Sequence, residues 1–174
     1  MLKRLLIIFF SIFLYINYAT SNELKIVYVD LDKILSQSEA GKEITKQLEK
    51  LNNNNIKKFK EKEKEIADDE KNIIKQKNIL SKEEFEKKVK TLQTKIKNFK
   101  KDINISGKDI DKKRLEATTK ILNVINPILS EYSSKNSISL IIQKKNIVIG
   151  KSELDITSQI LEIVNTKIKS VKMN

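Results

Sequence analysis

The chain has 174 residues, the size of one ordinary domain, and its composition of 39% hydrophobic and 33% charged residues suits a helix-rich globular protein rather than a disordered or wholly membrane-embedded one. Three Gly and one Pro leave few turn signals, so the segments between turns must be long, and long segments here mean helices. The absence of Cys and His excludes disulfides, thiol catalysis, cysteine zinc sites and lipid attachment through an N-terminal Cys, and removes the commonest general base and metal ligand. Ser, Thr, Lys and carboxylates remain, but none sits in a Gly-rich elbow or phosphate loop. Neither enzymatic activity nor a cofactor is expected.

Charge is one-sided. Lys and Arg total 35 against 23 Asp and Glu, a net +12, yet the only arginines are Arg4 and Arg114. A surface that reads phosphates or bases would use arginine for bidentate contacts, so the lysine surplus argues against nucleic acid as a partner. Biased codon usage in a chain rich in Lys, Asn and Ile is the plainer explanation.

The N-terminus has two positive charges within Met1–Arg4, an apolar run over Leu5–Tyr18 and small residues at Ala19-Thr20-Ser21. That pattern is a cleavable secretory signal peptide over 1–21, and its apolar run is shorter than the ~20 residues a membrane-spanning helix needs. Cleavage leaves a mature chain, 22–174, with 33 basic and 23 acidic residues, a net +10. In a double-membrane bacterium the expected compartment is the periplasm.

In the mature chain, Lys25–Asp30 is a short β-branched and aromatic run and is expected to form a strand. From about Ile34 the period becomes helical, with Ile44, Leu48 and Leu51, then Phe59, Ile66, Ile73 and Leu80 at seven-residue intervals. The second hydrophobe of each heptad is missing, because Lys62, Asp69 and Gln76 stand in its place. Ser81-Lys82-Glu83-Glu84 is a capping box that starts a second helix. Its stripe is fuller: Phe85, Val89, Leu92, Ile96, Phe99 and Ile103, then Ile110, Ala117, Ile121, Val124 and Ile128. Pro127 should kink or loosen its end. A reversal near Asn78–Ser81 brings the stripes together as an antiparallel hairpin whose facing residue numbers sum to roughly 160, setting Phe59 against Phe99 to Ile103 and Ile66 against Leu92 to Ile96. Arms of about 45 residues would reach on the order of 65 Å, a rod rather than a globule.

Beyond the hairpin, Ile138–Ile142 and Asn146–Ile149 are expected to form two strands joined at Gln143-Lys144-Lys145, with Asp155 capping a last helix that carries Ile156, Ile160, Ile163, Val164 and Ile168. The expected architecture is mostly α with a small three-stranded base: 22–40 and 130–174 form the base, and 41–129 the helical hairpin arm. Three strands and one helix bury too little to stand alone, so assembly into an oligomer through the strands is expected.

The segments Asp30-Leu31-Asp32-Lys33-Ile34-Leu35 and Ser38-Glu39-Ala40-Gly41-Lys42, with Ile121–Ile128 and Leu154-Asp155-Ile156-Thr157 later in the chain, resemble the Skp (OmpH-like) periplasmic chaperones. The resemblance spans the mature chain and rests on the order of elements. It implies a trimer with a central β-barrel and helical tentacles around a cavity that receives unfolded outer-membrane proteins, without ATP or metal. Related chains often carry Gly before the second strand; here Asn136 stands there and tolerates a left-handed backbone nearly as well. The alternative reading is a coiled-coil spacer or adaptor of the cell envelope.

Two features of the arm bear on function. Residues 71–101 hold eleven lysines against three glutamates. Lys71, Lys75, Lys77, Lys82, Lys87, Lys88, Lys90 and Lys95 are the candidate contacts to acidic clients or to an anionic lipid or lipopolysaccharide surface. Asn52–Asn55, a run of poor helix formers, should face Ser106-Gly107 across the seam, and Asn53, Asn54 and Gly107 are the candidate hinge.

Overall fold

The computed structural model describes residues 24–172. The expected signal peptide lies outside the described residues. Strand β1, Ile26–Val29, leads into helix α1, Leu31–Gln37, and a corner at Ser38 starts helix α2, Glu39–Gln76. A turn over 77–80 reverses the chain into helix α3, Lys82–Lys135. Strand β2, Leu140–Gln143, short 3-10 turns at Lys144–Asn146 and Ser152–Leu154, and helix α4, Thr157–Lys167, complete the fold.

The starts and stops follow from local chemistry. Asp30 caps α1 by accepting from the Lys33 amide at 2.8 Å. Ser81 and Glu84 form the expected capping box, with the Glu84 amide donating to Ser81 Oγ at 3.3 Å and the Ser81 amide to Glu84 Oε2 at 3.1 Å. Pro127 lies on an exposed face of α3, and the helix continues through it to Lys135. On that face the carbonyl that loses its donor can be hydrated.

The end of α3 departs from expectation. Asn136 keeps a right-handed backbone with φ −108°, and the left-handed residue is Ser137, with φ 51°. The Ile138 amide reaches back to the Ser133 carbonyl at 3.0 Å, so the left-handed position falls one residue past the cap, and buried Ile138 closes the motif.

The base holds two strands among the described residues, not three. β1 and β2 pair in parallel, with Val27 opposite Ile141, and the whole hairpin is the crossover between them. On the other side of β1 there is only a single bridge, Tyr28 to Asp155. The expected hairpin over 138–149 does not form. Gln143-Lys144-Lys145 contains no residue suited to the left-handed positions of a tight β-turn; the chain takes a right-handed 3-10 turn instead, with the Ile147 amide on the Lys144 carbonyl at 3.0 Å. Val148 and Ile149 are left 98% and 91% exposed.

The core gathers Val27 and Val29 of β1, Ile34 of α1, Ala40, Ile44 and Leu48 of α2, Ala117, Ile121, Ile125 and Ile128 of α3, and Ile160 and Val164 of α4. It is therefore not confined to 22–40 and 130–174, because the first turns of α2 and the last third of α3 are part of it. Thr157 ties the strand end to the last helix. Its hydroxyl accepts from the Asp30 amide at 2.9 Å and donates to Asp155, and its own amide donates to Asp155 Oδ1 at 2.9 Å. Asp155 thus holds the start of α4 from one residue before the cap position, which Ile156 occupies.

Candidate functional site: the helical arm

Between Leu48 and Ala117 no residue is buried. Over that length the two helices touch only along one seam, and each rung is half exposed. Phe59 meets Phe99 edge-on, 6.0 Å between ring centres, in the expected register. The polar positions that replace every second hydrophobe of α2 are not gaps. Asn55 donates to Ser106 Oγ at 2.6 Å, Lys62 to Asp102 Oδ2 at 2.8 Å, and Gln76 Oε1 accepts from Lys88 at 2.7 Å. Asp69 accepts from Lys95 at 2.7 Å, and Glu65 lies 3.6 Å from the same lysine.

These rungs alternate in sign. Lys62 on α2 faces Asp102 on α3, and one heptad on, Asp69 faces Lys95. A slip of one heptad would set Lys62 against Lys95 in one direction and Asp69 against Asp102 in the other. The ladder therefore favours one register at low cost in apolar surface, the best-attested use of charge inside a helical seam.

The same pairs move pKa values. A hydrogen bond from Lys62, then its charge, holds Asp102 below the ordinary aspartate range; a hydrogen bond to Asp69 leads in lifting Lys95 above the ordinary lysine range. A lowered carboxylate contributes stability above its unfolded value of ~4, lost as pH falls through the folded value. A raised lysine contributes below ~10.4, lost as pH rises through its folded value. Arm stability should be flat from about pH 5 to 9 and weaken below about pH 4. Thermal melting followed by circular dichroism checks it, with Lys62→Leu/Asp102→Leu expected to melt higher and to lose part of the acid sensitivity. Identical acid sensitivity in the two proteins would reject the ladder's role.

Among the eight singled-out lysines the structure separates two groups. Lys71, Lys75, Lys77, Lys82, Lys87 and Lys90 are exposed. Lys88 and Lys95 are tied across the seam to Gln76 and Asp69. At the end of the arm Ile79 is 82% and Ile74 63% exposed beside these lysines. A shallow groove of about 730 Å³, with Ile73, Leu80 and Leu92 on its floor and Lys87 and Lys88 at its rim, runs between the helices there. Asn55 and Ser106 do meet, whereas Asn53, Asn54 and Gly107 face solvent, and Gly107 has open space where a Cβ would stand. The partners Ser106, Asp102 and Glu65 carried no signal of their own; only opposite charges at mirrored heptad positions could have pointed to the last two.

Among the described residues no cluster of carboxylates could hold a metal ion, and no helix is long and apolar enough to cross a membrane. The architecture is that of a helical-hairpin protein, with a long coiled-coil arm standing on a small αβ base. The sequence matches the model of the family described as outer membrane protein (OmpH-like) over residues 25–164, and the chain belongs to that family. A solved structure from Caulobacter crescentus CB15, a candidate outer membrane chaperone (OmpH-like), superposes with a TM-score of 0.80 at 13% identity. That alignment covers 87% of this chain and 89% of the other, so the two share the fold from base to arm. No curated protein matches the sequence.

Proposed function

We propose that the mature protein is an ATP-independent periplasmic holdase that keeps unfolded outer-membrane proteins from aggregating, in a cavity between the arms of a homo-oligomer, a trimer by family resemblance. The observation that carries this reading is the arm itself, which has no buried residue between Leu48 and Ala117 and exposes both apolar atoms and lysines along its length. Such a surface suits many weak, sequence-tolerant contacts, while its charge speeds capture of acidic chains. Membership in the OmpH-like family supports the same reading, as does the signal-peptide pattern read in the sequence of residues 1–21. Release needs no fuel when the client prefers the membrane. The exposed lysines also suit an anionic lipid or lipopolysaccharide surface.

The test is light scattering of an outer-membrane protein diluted from urea with residues 22–174 in molar excess. Suppressed aggregation without nucleotide is expected. No protection would favour the envelope spacer reading. Lys75→Glu, Lys77→Glu and Lys87→Glu together should slow capture severalfold at low salt and flatten its salt dependence, with helix content unchanged. Equal capture rates would return these lysines to codon bias.

The level of Asn53, Asn54 and Gly107 is the proposed hinge by which the cavity adapts to client size. Replacing all three with Ala should stiffen it, since both Asn and Gly are weaker helix formers than Ala and the site has room for a Cβ at Gly107. Slower amide exchange at that level with a reduced capacity for large clients is the expected result. Unchanged exchange would remove the hinge.

A further inference from the structure

Exposed apolar residues of the base belong to the sheet and to the segment that follows it: Ile26 and Leu140, paired across the strands, are 42% and 50% exposed, and Val148 and Ile149 are almost fully exposed. A two-stranded sheet with a free outer edge and four exposed aliphatic side chains cannot be a finished surface. A second copy of this chain offers both an unpaired strand edge and apolar partners.

The turn that leads into the Ile147–Gly150 segment starts at a charged cluster. Asp30 and Asp155 each use one carboxylate oxygen to start a helix, on the amides of Lys33 and Thr157, and turn the other toward Lys144. Lys144 Nζ lies 3.3 Å from Asp155 Oδ2, 3.9 Å from Asp30 Oδ2 and 6.0 Å from the centre of the Tyr28 ring. The same ring backs the segment from below, since a Cβ on Gly150 would stand 3.0 Å from Tyr28 Cε1 and 3.5 Å from Ile147 Cγ2. Lys144 opens the 3-10 turn that leads into this segment, and its carbonyl holds the Ile147 amide. The strand end, the α1 cap and the Asp155 turn before α4 therefore meet at one ammonium group, one short turn upstream of the exposed segment.

We propose that Lys144 is the positioning residue of the oligomer interface: it anchors the turn so that Val148 and Ile149 are presented, in one fixed geometry, to a second copy of the chain. The proposal rests on the oligomer in the reading above. A preset segment loses less conformational freedom on association than a loose one, so Lys144 acts on assembly rather than on the fold of one subunit.

The test uses residues 22–174 with Lys144→Met, which keeps the aliphatic stem and removes the charge, and Lys144→Arg, which restores a cation within reach of both carboxylates. Sedimentation equilibrium should show assembly weakened about tenfold or more in Lys144→Met and recovered in Lys144→Arg, with helix content by circular dichroism equal in all three. Amide exchange at 147–150 should speed up in Lys144→Met when compared in the monomeric state. Wild-type assembly by Lys144→Met, or a loss of helix in it, overturns the proposal. A monomeric wild-type protein would sink the oligomer reading separately, and exchange at 147–150 would still decide whether Lys144 anchors the segment.

Discussion

Gly41→Ala should destabilise the base by about 3–5 kcal/mol, a large share of the ~5–15 kcal/mol that holds an ordinary domain folded. The reason is a backbone collision. A Cβ at position 41 would stand 1.8 Å from the Leu35 carbonyl oxygen and 2.8 Å from its carbon, and a main-chain atom inside a helix cannot step aside as a side chain can. The contact arises because α1 and α2 share a single corner residue. Ser38 ends α1 with its amide on the Ile34 carbonyl at 3.0 Å and starts α2 with its hydroxyl taking the Gly41 amide at 3.1 Å. That folds the first turn of α2 beneath the last turn of α1, with Ser38, Ile34 and Ala40 all fully buried. Ser38→Ala, which removes the cap without a clash, should cost only about 1–2 kcal/mol. Urea denaturation of both variants measures the difference, and a Gly41→Ala protein within 1 kcal/mol of wild type would mean that α1 and α2 separate freely.

The second large effect is expected at the assembly edge. Val148→Asp with Ile149→Asp should lower the association constant by about a thousandfold or more. Two buried aliphatic side chains contribute roughly 1.5–3 kcal/mol each, and an unpaired carboxylate in their place adds a desolvation penalty. The subunit should stay folded, because both side chains are almost wholly exposed in it. Sedimentation at micromolar concentration would show monomers with native helix content. An unchanged oligomer mass would place the interface elsewhere.

Near-sequence chemistry accounts for the features that could be read in advance. The capping box at Ser81 and Glu84 and the strand at Ile26–Val29 depend on residues a few positions apart. The Phe59–Phe99 register depends on two stripes joined by a short turn, so it too is visible in the order of residues. The failed third strand and the displaced left-handed residue were not legible in this way. Whether Asn146–Ile149 pairs depends on the turn before it and on what lies beyond the free edge of β2, and Ser137 takes the positive φ because buried Ile138 must point back at α3. Lys95 and Lys88 looked like the other arm lysines in composition, and only the partner helix distinguishes them.

By itself the sequence determined that this protein is an α-helical hairpin with a weakly apolar seam and an excess of lysine toward its tip. Those properties follow from period, charge and turn signals, which are local. Tertiary structure alone decided that β1 and β2 run parallel with the arm as their crossover, that the charged seam positions Lys62 and Asp69 pair with opposite charges, and that Lys144 joins Asp30 and Asp155 across more than a hundred residues of chain. Each of these is a relation between residues distant in sequence, set by which surfaces the long helices bring within a few ångströms of one another, and no local pattern encodes that distance.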